Sequence, residues 1–255
     1  MRKMGIGVQL YTLRNETAAD FAGTLRKVAE LGYEGVEFAG YGDLSADEMK
    51  ALLEETGLKA IGAHVSLDAM RTDLQGQIDY LKTIGARYMI CPWVSEEARN
   101  LEDWKKNIAF WKEAAEEATK QGLVFGYHNH DFEFHESIDG QFVFDAIYAA
   151  APESIKVEMD VCWVKFAGQD PIAYINKYAG NLPLLHLKDF ARDENGGMIT
   201  LELGQGEVNL GDVVKAASDA GVEWLIVEQD NCQNPPLASI ANSLNWVKQN
   251  YLALV

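Results

Sequence analysis

The sequence predicts an α/β fold: a closed (β/α)8 barrel (TIM barrel) of parallel strands and outer helices that forms a single domain over residues 1–255. Eight short apolar segments alternate with helical segments from end to end, and their starts lie 25 to 40 residues apart. Alternation at this spacing is typical of βα units in a parallel sheet. A length of 255 residues also suits eight such units in one barrel.

The segments predicted to be strands are short, apolar and rich in β-branched or aromatic residues. They cover residues 5–11, 35–40, 60–66, 87–94, 123–130, 155–164, 184–190 and 224–230. An open sheet with an additional lobe is the alternative. The sequence contains neither a GxGxxG nor a GxxxxGK[ST] motif, which favours the closed barrel because these motifs are typical of open nucleotide-binding sheets.

The helices are predicted from apolar periodicity and from residues typical of helix ends. Residues 45–56 begin with the capping-box pair Ser45 and Glu48 and stop at Gly57. Residues 16–31 end before Gly32 and place five apolar side chains on one face, namely Ala18, Phe21, Leu25, Val28 and Leu31. Glycine enters the left-handed conformation without strain, and it marks further helix ends at Gly85, Gly122, Gly180 and Gly221.

The chain is strongly acidic, with 22 Lys and Arg against 39 Asp and Glu and a formal net charge of −17. Binding to nucleic acid or to an anionic membrane requires clustered Lys and Arg, so neither is an expected partner. Cys91, Cys162 and Cys232 are far apart and form no CxxC pair, which indicates free thiols in a reducing compartment. With no apolar segment near the ~20 residues of a transmembrane helix and no signal-peptide pattern at the start, we expect a cytoplasmic protein.

Polar residues late in the predicted strands are the candidates for chemistry, because barrels of this type build their active sites at the C-terminal strand ends. Four such residues come from four consecutive strands, the fifth to the eighth: His128, Asp160, His186 and Glu228. Two imidazoles and two carboxylates form a mixed N/O site that suits Mn²⁺, Zn²⁺, Co²⁺ or Fe²⁺, with open positions for substrate oxygens. A structural ion-pair network that includes Lys188 is the alternative.

Several segments together resemble one family of barrel enzymes. They are GVQLYTLR near the start, GVEFAG in the second predicted strand, YHNHDFEF in the fifth, DVCW in the sixth, HLKD in the seventh and GQGEVNLGDVV from residue 204. Across essentially the whole chain the sequence resembles the xylose-isomerase-like TIM barrels. This family contains sugar and sugar phosphate isomerases and epimerases and also the endonuclease IV-type (AP endonuclease family 2) DNA repair enzymes. The resemblance implies a small-molecule sugar or keto-sugar substrate and a homo-oligomer.

The resemblance also implies one divalent metal ion. In the sugar isomerases of the family, Glu, Asp, His and Glu from strands five to eight hold it, and Asp160, His186 and Glu228 match the last three. His128 stands where the fifth strand usually has Glu, and Glu133 is the nearest carboxylate that can compensate. Mn²⁺ is the first expectation, with Zn²⁺, Co²⁺, Fe²⁺ or Mg²⁺ as alternatives. The DNA repair branch fits least, because its members hold several metal ions and dock a duplex on basic loops.

The implied activity is that of a metal-dependent isomerase or epimerase that transfers a proton through an enediolate. A metal ion bound to neighbouring oxygens acidifies the adjacent C–H. Glu228 is the first candidate base, and the proton is returned by Glu133, His130 or His64. Lys188 either stabilises the developing negative charge on oxygen or forms a salt bridge with Glu158 or Asp189.

Other side chains are candidates for substrate binding. Gln9, Glu37 and His64 are expected to hydrogen-bond sugar hydroxyls, unless they are internal polar residues. Flat surfaces for a sugar ring are offered by Trp163, Trp93 and Tyr127, with ordinary packing as the alternative.

Two other functions remain open. A metal-dependent lyase or dehydratase of an inosose or 3-keto-sugar starts from the same enediolate and expels a β-substituent. A non-catalytic sugar-binding barrel binds its ligand without proton exchange. Gly204 and Gly206 are suited to a phosphate-binding loop, but no Arg or Lys cluster accompanies them, so we expect an unphosphorylated substrate.

Overall fold

The computed structural model describes residues 1–255, and its central feature is a closed barrel of eight parallel strands. We number the barrel strands β1 to β8: Gly5–Gln9, Gly35–Phe38, Lys59–His64, Tyr88–Cys91, Val124–His128, Ile155–Asp160, Leu184–Leu187 and Trp224–Val227. Each strand pairs with its neighbours in sequence, and β8 pairs with β1, so the barrel has no open edge. The predicted (β/α)8 barrel is confirmed.

Helices cover the outside of the barrel and bury their apolar faces against it. We number them α1 to α10: Arg14–Ala19, Phe21–Leu31, Ala46–Thr56, Leu67–Thr83, Leu101–Lys120, Val143–Ala150, Val161–Phe166, Pro171–Lys177, Leu210–Ala220 and Pro236–Asn250. Two antiparallel hairpins extend the loops after β5 and β7, and their strands are Ser137–Ile138 with Gln141–Phe142 and Asp189–Arg192 with Met198–Leu201. None of the helices combines the length and the apolar character needed to cross a membrane.

Side-chain caps move several element boundaries away from the predicted ones. The predicted helix over 16–31 is interrupted at Asp20, whose backbone is extended and whose carboxylate accepts the Gly23 N–H at the start of α2. The segment predicted as a strand over 155–164 ends at Asp160, because the Asp160 carboxylate accepts the N–H groups of Cys162 and Trp163 and starts α7. The predicted capping box of Ser45 and Glu48 is present.

The interior of the barrel is apolar at the N-terminal ends of the strands and polar at the C-terminal ends. A bulge in β3 opposite Val36 and Glu37 places Ile61 inside the barrel. The apolar layer is formed by Ile61, Tyr88, Ile90, Leu184 and Ile226, with Val124 and Trp224 packed against it. This layer fills the N-terminal end of the barrel with apolar side chains, so the polar interior residues lie toward the C-terminal ends of the strands.

Candidate metal centre and active site

Four side chains meet at the C-terminal ends of β5 to β8. His128 is the last residue of β5 and Asp160 the last of β6, while His186 lies in β7 and Glu228 directly follows β8. One ligand-type atom from each of the four lies within 4.8 Å of all the others. The Nε2 atom of His128 is 3.5 Å from Asp160 Oδ2, and the Nδ1 atom of His186 is 2.8 Å from Glu228 Oε2. The barrel thus brings together all four residues that the sequence analysis selected as metal ligands.

The chemistry of these four residues fits a divalent metal ion. All four are almost completely buried. The Nε2 atom of His128 has no hydrogen-bond partner, although burying a polar nitrogen without one is costly. Two imidazoles and two carboxylates are a donor set suited to Mn²⁺, Zn²⁺, Co²⁺ or Fe²⁺. A cation between them offsets the cost of burying two neighbouring carboxylates.

Lys188 lies beside this group and is fully buried. Its Nζ atom is 2.8 Å from Asp160 Oδ2, 2.8 Å from Glu228 Oε2 and 3.1 Å from Asp230 Oδ2. These contacts replace the salt bridge to Glu158 or Asp189 that the sequence analysis considered. Because the side chain also hydrogen-bonds Asp230, the ammonium has a partner outside the four candidate ligands and can remain in place when a metal ion binds.

A second polar cluster lies one layer deeper in the barrel and contacts the other side of the His186 ring. The Nε2 atom of His186 is 2.8 Å from Glu37 Oε2 and 3.1 Å from Glu158 Oε1. Glu158 stands two residues before Asp160 in β6, so strand alternation directs both inward. A carboxylate on the remote nitrogen of a metal-ligating histidine fixes the ring and its tautomer. This geometry gives Glu158 a supporting position that the sequence analysis did not assign.

Gln9 and Glu37 occupy different surroundings from those expected. Both are fully buried, and the Gln9 side-chain amide donates to Glu37 Oε2 over 2.8 Å. Neither lines the cavity at the mouth. Burial and the neighbouring Glu158 raise the pKa of Glu37 to about 7. In this structure Gln9 hydrogen-bonds Glu37, and Glu37 in turn contacts His186, so both side chains lie below the cavity.

A cavity of 510 Å³ opens above the candidate metal ligands. This volume lies within the range of about 300–1,000 Å³ that is usual for small-molecule sites. His64, His128, His130 and Glu228 face it. The rest of its wall is formed by Tyr11, Arg14, Ala39, Ser66, Pro92, Trp93, Asp230 and Asn231. Arg14, Asp230 and Asn231 were not predicted, although the place of Asp230 and Asn231 in the loop after β8 was a signal for the last two.

Two histidines on the cavity wall have opposite surroundings. Burial lowers the pKa of His130 well below its usual value, with help from His128 and Lys188, and its Nδ1 atom has no hydrogen-bond partner. Burial also acts to lower the pKa of His64, but the carboxylates of Glu37 and Glu158 outweigh it and raise that pKa. Such a divergence separates a base from an acid within one site. The lowered pKa keeps the His130 ring neutral, whereas the raised pKa favours the protonated form of His64.

Glu133 lies outside the cavity. It belongs neither to the four candidate metal ligands nor to the deeper polar cluster with Glu37 and Glu158. It is fully buried, and its Oε1 atom accepts the Tyr127 hydroxyl over 2.6 Å while Oε2 accepts the His130 N–H over 2.8 Å. Tyr127 points away from the barrel interior and packs on Trp111 of α5 with ring centroids 4.8 Å apart. The structure therefore does not bring Glu133 to the four candidate metal ligands. The same geometry shows that Tyr127 offers no surface to a sugar.

The two aromatic candidates near the mouth are placed differently from Tyr127. Trp93 lines the 510 Å³ cavity and is 47% exposed. Trp163 lies in the first turn of α7, with its ring centroid 5.3 Å from that of His130 and 5.8 Å from Lys188 Nζ. Both indoles are therefore available at the C-terminal face of the barrel.

The glycine-rich loop after β7 does not offer its N–H groups to a ligand. The buried carboxylate of Asp189 accepts four backbone N–H groups, from Phe190, Gly204, Gly206 and Val208, at 2.9–3.1 Å. An internal anion therefore occupies the position in which such a loop binds phosphate.

Comparison with known proteins places the chain in one family. The two solved structures described next are each less than 25% identical to this chain, and they establish its fold. A sugar phosphate isomerase/epimerase from Parabacteroides distasonis superimposes with a TM-score of 0.80 at 22% identity, covering 97% of this chain and 94% of that one. D-allulose 3-epimerase from Methylomonas sp. superimposes with a TM-score of 0.74 at 13% identity, covering 98% of this chain and 99% of that one.

The sequence comparison agrees with the structural one. Inosose dehydratase from Clostridium beijerinckii is 21% identical over 260 residues, covering 86% of this chain and 84% of that protein. Residues 25–250 match the sequence model of a family described as xylose isomerase-like TIM barrel. This match covers most of the chain and confirms the resemblance seen in its motifs. The chain therefore belongs to the xylose isomerase-like TIM barrel family.

Proposed function

We propose that the protein is a metal-dependent isomerase or epimerase that removes the proton next to the carbonyl group of a sugar or keto-sugar. The observation that carries the proposal is the convergence of four candidate ligands from four consecutive strands beneath a 510 Å³ cavity. Similarity to an inosose dehydratase and to a D-allulose 3-epimerase supports a polyhydroxylated substrate.

His128, Asp160, His186 and Glu228 would hold the metal ion. When bound, the ion polarises the substrate carbonyl and so acidifies the neighbouring C–H. Glu158 and Glu37 fix the His186 ring from behind, which keeps the Nδ1 atom directed toward Glu228 and the other ligands.

The side chains of the cavity wall would move the proton. His130 lines the cavity, and the lowered pKa of its ring keeps a neutral imidazole that accepts the proton from carbon. His64 faces the same cavity, and its Nε2 atom is 2.6 Å from Glu158, which favours a protonated ring that donates from its other nitrogen. The buried ammonium of Lys188 stabilises negative charge on the substrate oxygen. Glu228, the first candidate base on sequence grounds, has contacts to His186 and Lys188 that favour a ligand role instead.

The substrate we propose carries no phosphate. Asp189 fills the backbone N–H cluster after β7, and Arg14 is the one basic side chain on the cavity wall. Asp230 and Glu228 on the same wall repel an added anion.

A lyase or dehydratase of an inosose or 3-keto-sugar is the second candidate. The observation that favours it is the position of Glu133, whose carboxylate is turned away from the cavity. An epimerase that uses two glutamates requires a second glutamate that faces the substrate. Here histidines face the cavity in place of that glutamate. An acid such as His64 can instead protonate a departing β-hydroxyl group.

Metal content and proton exchange test the proposal together. We expect about one equivalent of Mn, Zn, Co or Fe in the purified protein by elemental mass spectrometry. The metal should be lost in a folded His186→Ala/Glu228→Ala double variant and kept in Glu113→Gln, which changes an exposed acid on α5. A protein that binds none of these ions after loading contradicts the proposal.

The reaction type is decided in D₂O with a panel of keto-sugars and inososes. Deuterium incorporation with conserved carbon skeleton and mass balance indicates isomerisation or epimerisation. Loss of water and a new ultraviolet absorbance indicate the lyase. Binding of a sugar with neither result indicates a non-catalytic sugar-binding barrel and contradicts both candidates.

A further inference from the structure

A second cavity of 370 Å³ adjoins the 510 Å³ cavity at the mouth of the barrel. Asp230 and Asn231 line both cavities, so the two share one wall. The remaining wall of the second cavity comes from α7, from the hairpin after β7 and from the loop after β8, through Trp163, Met198, Ile199, Thr200 and Gln233. We call these two spaces the inner cavity (510 Å³) and the outer cavity (370 Å³).

Hydrogen bonds hold the wall of the outer cavity in place. The Thr200 hydroxyl donates to the Asn231 carbonyl over 3.0 Å and accepts the Asn231 N–H over 3.1 Å. The Gln229 side-chain amide donates to the Thr200 carbonyl over 3.1 Å. These contacts join the hairpin strand Met198–Leu201 to the loop after β8. The outer cavity is thus preformed, which lowers the entropic cost of binding a ligand there.

The lining of the outer cavity suits an uncharged ring. Trp163, Met198 and Ile199 give it an apolar side, and Ile199 is 38% exposed. The indole N–H of Trp163 is buried without an acceptor, so this ring contributes mainly apolar surface to the wall. Asn231 and Gln233 add amide groups, whereas Asp230 makes the wall unfavourable for an anion. No Lys or Arg lines this cavity.

We propose that the outer cavity is a subsite for an uncharged ring attached to the reacting sugar, so that the substrate is a glycoside of a keto-sugar, with its carbonyl on a ring carbon other than the anomeric one, and not a free monosaccharide. The inference rests on the proposed function, because it needs the reacting sugar in the inner cavity. The attached ring packs on Trp163 and Ile199, and the linking oxygen passes the shared wall at Asp230 and Asn231. The ring is an aromatic aglycone or a second sugar. An aromatic ring is flat and apolar, and a sugar ring is uncharged, so each fits a partly apolar wall.

Binding of matched glycosides to the metal-loaded protein tests the subsite. Calorimetry compares the methyl and the 4-nitrophenyl β-glycosides of the 3-keto forms of glucose, galactose, mannose and xylose, together with the matching β-linked 3-keto-disaccharides. For the sugar that binds, we expect the ring-bearing glycoside to bind about tenfold more tightly than the methyl glycoside, as burial of one aromatic ring predicts. An advantage of the 4-nitrophenyl glycoside over the disaccharide identifies an aromatic aglycone, and the reverse order identifies a second sugar.

An Ile199→Asp variant locates the effect. Ile199 is on the surface of the hairpin, so the fold should tolerate the change, and thermal unfolding checks this. We expect the tenfold preference to fall below about twofold while the affinity for the methyl glycoside stays unchanged. The matched control is Leu254→Asp, which alters an equally apolar, 63% exposed residue outside both cavities and should keep the preference.

The outcomes separate this inference from the function on which it rests. Equal affinities for methyl and ring-bearing glycosides, or a preference that survives in Ile199→Asp, overturn the subsite. The proposed function then still stands if keto-sugars exchange deuterium. Absence of sugar binding together with absence of exchange overturns the proposed function, and the subsite with it.

Discussion

At the scale of single residues, His130 and Glu133 follow β5 three positions apart and have opposite surroundings. His130 lines the inner cavity, whereas Glu133 accepts the Tyr127 hydroxyl behind the strand. We expect His130→Gln to slow solvent deuterium exchange into substrate by about 10²–10⁴-fold, the usual contribution of a general base. Glu133→Gln should exchange at nearly the wild-type rate. NMR measures the deuterium exchange rates of both variants at equal metal content. Slow exchange in Glu133→Gln together with wild-type exchange in His130→Gln contradicts the assignment of His130 as the base.

The same buried glutamate makes stability depend on pH. Burial raises the pKa of Glu133 to about 8 from an ordinary value of 4.5. The folded protein therefore holds this proton more tightly than the unfolded chain, and its contribution to stability is lost as pH rises from about 4.5 to about 8. Glu133→Gln cannot titrate, so we expect it to gain stability relative to wild type across this window. Urea unfolding near pH 5 and near pH 8.5 measures the difference in free energy of unfolding between Glu133→Gln and the wild type at each pH. The same difference at both pH values contradicts the prediction.

Sequence alternation was sufficient to predict most of the polar residues of the site. A strand directs residues i and i+2 to the same face, which places His186 and Lys188 on one side of β7 and Glu158 and Asp160 on one side of β6. All four point into the barrel. The direction of Glu133 could not be predicted in this way, because it lies in the loop after β5, where alternation no longer applies and a short 3₁₀ turn over Phe132–Phe134 sets its direction.

At the scale of elements, the loop after β7 is organised around one carboxylate. Asp189 accepts four backbone N–H groups and connects the start of the hairpin to residues 204–208. Removing a buried acceptor leaves several donors unpaired, so Asp189→Ala should lower the free energy of unfolding by about 1–3 kcal/mol.

The matched control for this change is Asp193→Ala. Asp193 also accepts backbone N–H groups, from Asn195 and Gly197, but it lies at the exposed tip of the same hairpin. We expect a change within about 0.5 kcal/mol there. Chemical unfolding measures both variants, and limited proteolysis should cut the 204–208 segment faster only in Asp189→Ala. Similar decreases in the free energy of unfolding of the two variants would contradict the larger contribution expected from the buried Asp189 contacts.

Element boundaries were less predictable than element types. The eight strands and their order follow from apolar segments and spacing, but Asp20, Asp160 and Asp189 each end or redirect an element by accepting backbone N–H groups. A sequence shows that Asp favours such caps, yet it does not show which N–H groups lie in reach. The predicted strand over 184–190 consequently stops at Leu187, and residues from Asp189 form the hairpin.

At the scale of the whole molecule, the barrel separates the face that carries stability from the face that carries chemistry. The closed N-terminal end is packed with Ile61, Tyr88 and Ile226, and the candidate site occupies the other end. Four interior glycines leave room for these large side chains, namely Gly7, Gly35, Gly62 and Gly126. A change in the apolar layer should therefore lower stability and spare the site.

Gly62 in β3 tests this separation. A Cβ atom there would lie 2.6 Å from the Tyr88 carbonyl oxygen and 2.7 Å from the Tyr88 Cβ, so β3 and β4 would have to move apart. We expect Gly62→Ala to lower the free energy of unfolding by about 1–3 kcal/mol. Gly211→Ala is the control, because nothing lies within 4 Å of the added carbon in α9, and it should stabilise by about 0.4–1 kcal/mol. Both variants should bind the same equivalents of metal as wild type, and a Gly62→Ala protein that is folded but has lost its metal contradicts the separation of the two faces.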